Sequence, residues 1–188
     1  MSRQKHLCVA VVSTTLVGGL LSGSAVVFAA LSAPTDAHVG FQASGPAGMK
    51  IEGTTTDLKV SEDGGNVVID VPLANLSTGI ALRDNHMREK YLEVPKFASA
   101  TLVVAKASVK VPASGDRSES DTPGMLTLHG QTHPVSVHYD AKGDGFGYVA
   151  HGKFHVNMND FGITVPTYLG VTVKPDVDVT ASFHVAGG

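Results

Sequence analysis

The apolar residues of this chain recur mostly with period two. In "DAHVGFQAS", Ala37, Val39, Phe41 and Ala43 share one face and Asp36, His38, Gln42 and Ser44 the other, which is the pattern of a strand with one buried side. "NVVIDVPLA" repeats it with Val67, Ile69, Val71 and Leu73, "HPVSVHYD" with Val135, Val137 and Tyr139, and "VDVTASFHV" with Val177, Val179, Ala181, Phe183 and Val185. "FGYVAHGKFHV" sets Phe146, Tyr148, Ala150, Phe154 and Val156 against His151, Lys153 and His155. With "MKIEGTTTDLKV", "ATLVVAKASVKV" and "GMLTLH" the count reaches about eight strands.

The connectors "GPAG", "EDGGN", "HGQTH" and "KGDG" are short and rich in residues that accept turn geometry, so neighbouring strands should run antiparallel. The stretch "PASGDRSESDTP", residues 112–123, has no apolar anchor and is expected to be a mobile polar loop. A sheet of this size must bury its apolar face by closing on itself or by pairing with a second sheet. Periodicity alone does not separate a barrel from a sandwich.

One segment breaks the pattern. "STGIALRDNHMREKYLEVPKF", residues 77–97, crowds charges around Met87, Tyr91 and Leu92, a helical spacing with one apolar stripe. Asp84 or Asn85 can cap its start, and Pro95 ends it. An amphipathic helix inserted between strands would cover one mouth of a barrel.

The first residues form a separate unit. Arg3 and Lys5 precede an apolar run that passes into small residues, with Val27 and Ala29 at a cleavage-like position. Residues 1–29 are therefore expected to be an export signal, leaving a single domain over 30–188, in the periplasm or secreted. A retained membrane anchor is the alternative, but the run is diluted by Ser, Thr and Gly and falls short of the ~20 apolar residues of a spanning helix. Cys8 is the single cysteine, so the mature domain has no disulfide and must hold by its core. Fourteen Lys and Arg stand against 17 Asp and Glu in the whole chain, and removing Arg3 and Lys5 leaves 12 against 17, or −5. That balance argues against nucleic acid as a partner.

The stretches "STGIALRDNHMREKYLEVPKF", "LTLHGQTHPVSV" and "VNMNDFGI" resemble, in order and spacing, the YceI-like proteins, exported lipocalin-like barrels that enclose isoprenoid or related lipids. The matching features are Thr78-Gly79, Arg83-Asp84, His86 and Pro95-Lys96-Phe97, and the likeness spans about residues 34–186. The resemblance implies an all-β, eight-stranded antiparallel barrel with one short helix between strands, holding a long-chain apolar lipid. Two positions depart from the family pattern. Met87 stands where Leu is usual, and Met158 where Arg is usual, which removes a fixed positive charge and its five donors.

Alternation nominates Phe41, Ile69, Val71, Leu102, Val104, Leu126, Leu128, Val137, Phe154, Phe161, Val179 and Phe183 as the inward, ligand-facing set. His86, Met87, Tyr91, Leu92 and Phe97 would line the mouth. Arg83 and Asp84 read as a helix cap and ion pair before they read as a head-group site, and His86 as an imidazole that seats the helix on a strand carbonyl.

Other chemistry finds less support. His151 and His155 lie four apart on one strand, ~13 Å, too far to share a metal. A haem- or metal-binding electron carrier would use His86 with Met87 or Met158, yet no haem attachment motif is present. No nucleophile elbow or paired carboxylates mark an enzyme, and Asp160-Phe161-Gly162 lacks the companion motifs of a kinase. The expectation is a non-catalytic lipid-binding protein without a cofactor, with the oligomeric state, a homodimer included, left open.

Overall fold

The computed structural model describes residues 34–168 and 171–186. The expected export signal, 1–29, lies outside the described residues. The strands are β1 (Thr35–Ser44), β2 (Lys50–Thr55), β3 (Lys59–Asp63), β4 (Asn66–Pro72), β5 (Ser99–Ala105), β6 (Arg117–Leu128), β7 (Gln131–Gly143), β8 (Gly147–Asn157), β9 (Thr167–Tyr168), β10 (Val171–Thr172) and β11 (Asp176–Ala186), with one helix, α1 (Ala81–His86).

Nine strands form one antiparallel sheet in the order β2-β1-β11-β8-β7-β6-β5-β4-β3, and β9 and β10 form a small ribbon. The two end strands of that order are consecutive in the chain and run in the same direction, because all eight pairings between them are antiparallel. They are two halves of one bent strand, and the bend at Thr56–Leu58 is where the chain changes partner. The Asp57 N–H donates to Thr55 Oγ1 at 3.1 Å, and Asn75 donates to the Asp57 carboxylate at 2.7 Å, so local polar bonds hold the break. Counted as one, this strand gives the eight expected from alternation. Closure also runs through the backbone pair Thr54–Ser77, and by packing, since Val60 of β3 shares a cluster with Val39 of β1 and Phe183 and Val185 of β11.

Two sequence expectations change. Arg117–Pro123 belongs to β6, paired along its length with β7 from Arg117↔Lys142 to Leu128↔Gln131. Ser118, Ser120 and Thr122 alternate with exposed Arg117, Glu119 and Asp121, so the inward positions carry hydroxyls and the strand pattern is hidden from hydropathy. Pro123 fits because β6 pairs β5 only over Gly124–Thr127, so its missing N–H interrupts no ladder on that side. Phe146, placed by alternation on the inner face of β8, instead sits in the β7–β8 turn and is 83% exposed.

The irregular part of the expected loop is therefore shorter. It crosses the barrel end opposite the helix, held by the Lys110 N–H donating to Tyr139 Oη at 2.7 Å and by the bridge Ser114↔Gly143. Limited proteolysis is expected to cut first within 111–116, an irregular and largely exposed stretch. A first cut within 117–123 would count against the long β6.

Candidate functional site

The barrel interior is a cavity of ≈ 1230 Å³ lined by side chains of every long strand and of the helical segment. That exceeds the ~300–1,000 Å³ of ordinary small-molecule sites. Phe41, Ile69, Val71, Leu102, Val104, Leu126, Leu128, Val137, Phe154, Val179 and Phe183 all line it, and His86, Met87, Tyr91 and Leu92 line it from the helical segment. Gly53 lets the Phe41 ring lie flat across the neighbouring strand, since a Cβ there would come within 2.3 Å of the ring.

Phe97 and Phe161 are not among the lining residues. Phe161 is 2% exposed and its ring meets His133 edge-on at 5.1 Å, filling the core behind the wall rather than the cavity. Phe97 packs on His129, with ring centroids 4.6 Å apart, and over Gly130, where φ is +74 and a Cβ would touch the ring at 2.6 Å. Both lie in irregular segments where no alternation sets the facing side.

The helical segment is also seated differently from the expectation. It begins at Ala81, with Ile80 at the cap position and no side-chain cap bond, and passes into a π turn over Met87–Tyr91. Asp84 caps nothing in the usual sense. It lies inside the first turns, 5% exposed, and reaches back to accept bonds from Ser77 Oγ at 2.6 Å, the Thr78 N–H at 2.7 Å and the Thr78 hydroxyl. Burial pushes its carboxyl up, but the bonds from Ser77 and Thr78 and the charge of Arg88 outweigh it and hold the group below the usual carboxylate range.

Arg83 is joined to Asp84 through Thr78 rather than as a direct pair. Its Nε donates to Thr78 Oγ1 at 2.7 Å and its Nη2 to the Thr78 carbonyl at 3.0 Å. Thr78, Arg83 and His86 thus form a polar edge at the helical end of a mostly apolar cavity, and Glu62, Lys106 and Lys110 border its opposite end.

His86 is exposed at this rim. The imidazole that fastens the helical segment is His129, whose Nδ1 donates to the Phe161 carbonyl at 3.0 Å while Nε2 lies 3.2 Å from the Glu93 carboxylate. Sequence gave no sign of this, because His129 lies in a turn with positive φ. Met158 is buried and lines the cavity, so the position where the resemblance leads one to expect an Arg is apolar wall here. Val39, Ala43, Ile51, Val60, Val67, Tyr139 and Tyr148 also line the cavity; the alternation that nominated their strand neighbours marks most of them too. Among the described residues no group of three or more His, Cys, Asp and Glu is placed to hold a metal ion.

On the outer wall, histidines pair with carboxylates. His155 faces Asp178 at 3.0 Å and Asp176 at 3.4 Å. The bond to Asp178 raises its pKa above the ordinary value, partial burial opposes this, and Asp176 adds to the rise. A histidine raised on folding stabilises fully below about pH 6.5, its unfolded value, and the contribution is lost as pH rises through the folded value. An NMR titration is expected to place His155 above 6.5, with Asp178→Asn bringing it down.

A closed antiparallel barrel around an apolar cavity, with a short helix across one mouth, is a lipocalin-like β-barrel. The chain belongs to the YceI-like family, whose YceI-like domain matches residues 31–185. Among curated relatives, a UPF0312 protein of Pseudomonas fluorescens (strain SBW25) is 36% identical over 122 residues, 60% of each chain, so this chain spans less than two thirds of that relative's length. A UPF0312 protein of Pseudomonas syringae pv. tomato is 32% identical over 136 residues, 69% of this chain and 67% of the relative. Among solved structures, the fold is shared with a polyisoprenoid binding domain from Saccharophagus degradans implicated in plant cell wall breakdown, at TM-score 0.70 and 17% identity over 85% of this chain and 98% of that one. Burkholderia cenocepacia BcnA follows at TM-score 0.62 and 17% identity, over 81% and 96%.

Proposed function

We propose that this is an exported, non-catalytic protein that holds a long-chain, isoprenoid-like lipid inside the barrel, as carrier, store or protectant. The observation that carries the reading is the cavity itself, ≈ 1230 Å³ with aliphatic and aromatic side chains over nearly all of its wall. Each methylene moved from water into such a space gains ~0.8 kcal/mol, so ten carbons contribute several kcal/mol without a hydrogen bond. Polar side chains stand at both ends of the cavity, Thr78, Arg83 and His86 at the helical segment and Glu62, Lys106 and Lys110 opposite, which suits an apolar chain with a polar end. The likeness to a domain described as polyisoprenoid binding supports the same ligand class.

Solvent extraction of protein purified from the exported fraction, followed by mass spectrometry, is expected to release a long-chain lipid in near-stoichiometric amount. Protein that yields none, and takes up none from an isoprenoid suspension, would overturn the reading. The intact mass of the same sample tests export, since retention of residues 1–29 would favour an anchored form.

A further inference from the structure

Seven large apolar side chains face water among the described residues, and four of them gather. Met49, Ile80, Leu82 and Val171 are 39%, 53%, 65% and 41% exposed, and all four border the cavity. They come from three separate places: the turn after β1, the start of α1 and the β9–β10 ribbon. Strand register sets all three at one end of the barrel, where β1, β4 and β8 finish and β11 begins. The Lys174 N–H, donating to the Ser44 carbonyl at 2.7 Å, ties the chain after the ribbon to the end of β1.

Cations flank three of these side chains. Lys50 follows Met49, Arg83 follows Leu82, and exposed Lys174 stands three residues beyond Val171. Of the carboxylates at this end, Asp84 is withdrawn into its bonds with Ser77 and Thr78 and Asp176 is paired with His155 and Asn157, while Glu52, Glu89 and Asp160 are exposed. The opposite end differs. Val111, which also borders the cavity, and Phe146 are exposed there, but they are two side chains rather than four and charges of both signs surround them, Lys106 and Lys110 with Asp36, Asp63, Asp116 and Asp144.

We propose that this rim docks onto a lipid bilayer carrying anionic head groups, and that lipid enters and leaves the barrel there while the protein sits on the membrane. The inference rests on the lipid-binding reading above. A long chain that crossed water between bilayer and cavity would expose every methylene on the way. Apolar side chains ringing the mouth remove that gap by entering the head-group layer, and the flanking cations draw the same end to an anionic surface. Three or four side chains give a reversible contact, as a carrier requires.

Co-sedimentation with vesicles tests this directly. Purified protein is expected to pellet with phosphatidylethanolamine–phosphatidylglycerol vesicles at low ionic strength and much less with phosphatidylcholine. Met49→Ser, Ile80→Ser and Leu82→Ser combined should lower the bound fraction on the order of tenfold, with the far-UV spectrum unchanged. Phe146→Ser and Met125→Ser, exposed apolar residues away from the rim, should bind as wild type does. Wild type that stays in the supernatant while still carrying extractable lipid would overturn membrane docking alone and point to transfer through a protein partner. Equal loss in Phe146→Ser would overturn the assignment of the rim. Wild type that pellets with vesicles but holds no lipid would support the docking surface and sink the lipid-binding reading.

Discussion

Phe183→Asp is expected to empty the barrel or to unfold it. Phe183 stands on β11 opposite Ala150 of β8, is 9% exposed, borders the cavity and packs in one cluster with Val39, Leu58, Val60 and Val185. That cluster joins the bent strand to β1, so it is also where the barrel is held shut. Truncating a buried Phe alone costs about 3–5 kcal/mol, and a carboxylate in the same place adds a desolvation penalty unless it takes up a proton or water. Domains of this kind have about 5–15 kcal/mol in all. Urea melts followed by circular dichroism should show a large loss, and the solvent extract should contain no lipid. Phe183→Leu keeps the site apolar and should retain fold and ligand, which separates loss of polarity matching from loss of shape. His155→Ala alters only the outer wall and should retain both. A folded Phe183→Asp protein that still carries the wild-type lipid would show that the ligand does not reach this part of the barrel.

Alternation made the inner wall legible because a strand has only two faces and burial selects one. Phe41, Ile69, Leu102, Val137 and Val179 could be placed from their neighbours alone, and all line the cavity. Where the chain leaves regular structure that rule has nothing to act on. Phe161 and Phe97 are as apolar as the lining residues, but they sit in turns whose direction is set by His129, His133 and Gly130, contacts distant in sequence. Arg117–Thr122 failed in the other direction. It is a strand by hydrogen bonding to β7, but its inward residues are Ser and Thr, which contribute shape and hydroxyl bonds such as Ser108–Thr122 at 2.7 Å rather than hydropathy. Phe146 shows the limit of extending an alternation by one residue too many, since Gly145 and Gly147 on either side already marked a turn. The helix boundary was missed because Asp84 resembles a cap in sequence, whereas its hydrogen bonds run back to residues that precede the helix.

Those bonds give the second large expected effect. Asp84→Ala removes an acceptor shared by Ser77 Oγ, the Thr78 N–H and the Thr78 hydroxyl. Ser77 pairs through its backbone with Thr54 of β2, and Thr78 orients Arg83 at the cavity edge, so one carboxylate links barrel closure to the shape of the mouth. Hydrogen bonds to a buried charge carry more than neutral ones, and the donors left behind lose their partner, so the variant should be less stable by about 3 kcal/mol. Asp84→Asn keeps one acceptor oxygen and should lose less. The two variants also differ from wild type in acid. Because the folded carboxyl is held below its ordinary range, its stabilisation is complete above the unfolded value of about 3.9 and is lost as pH falls through that value towards the folded one. Wild type should therefore lose stability on acidification with a steeper slope than either variant, read from urea midpoints between pH 7 and pH 3. The mouth should respond as well, with lipid exchanging faster into acceptor vesicles from Asp84→Ala than from wild type at pH 7. Equal acid slopes in all three proteins would mean that Asp84 titrates alike in folded and unfolded chains, and that the Ser77–Thr78 turn is held by something else.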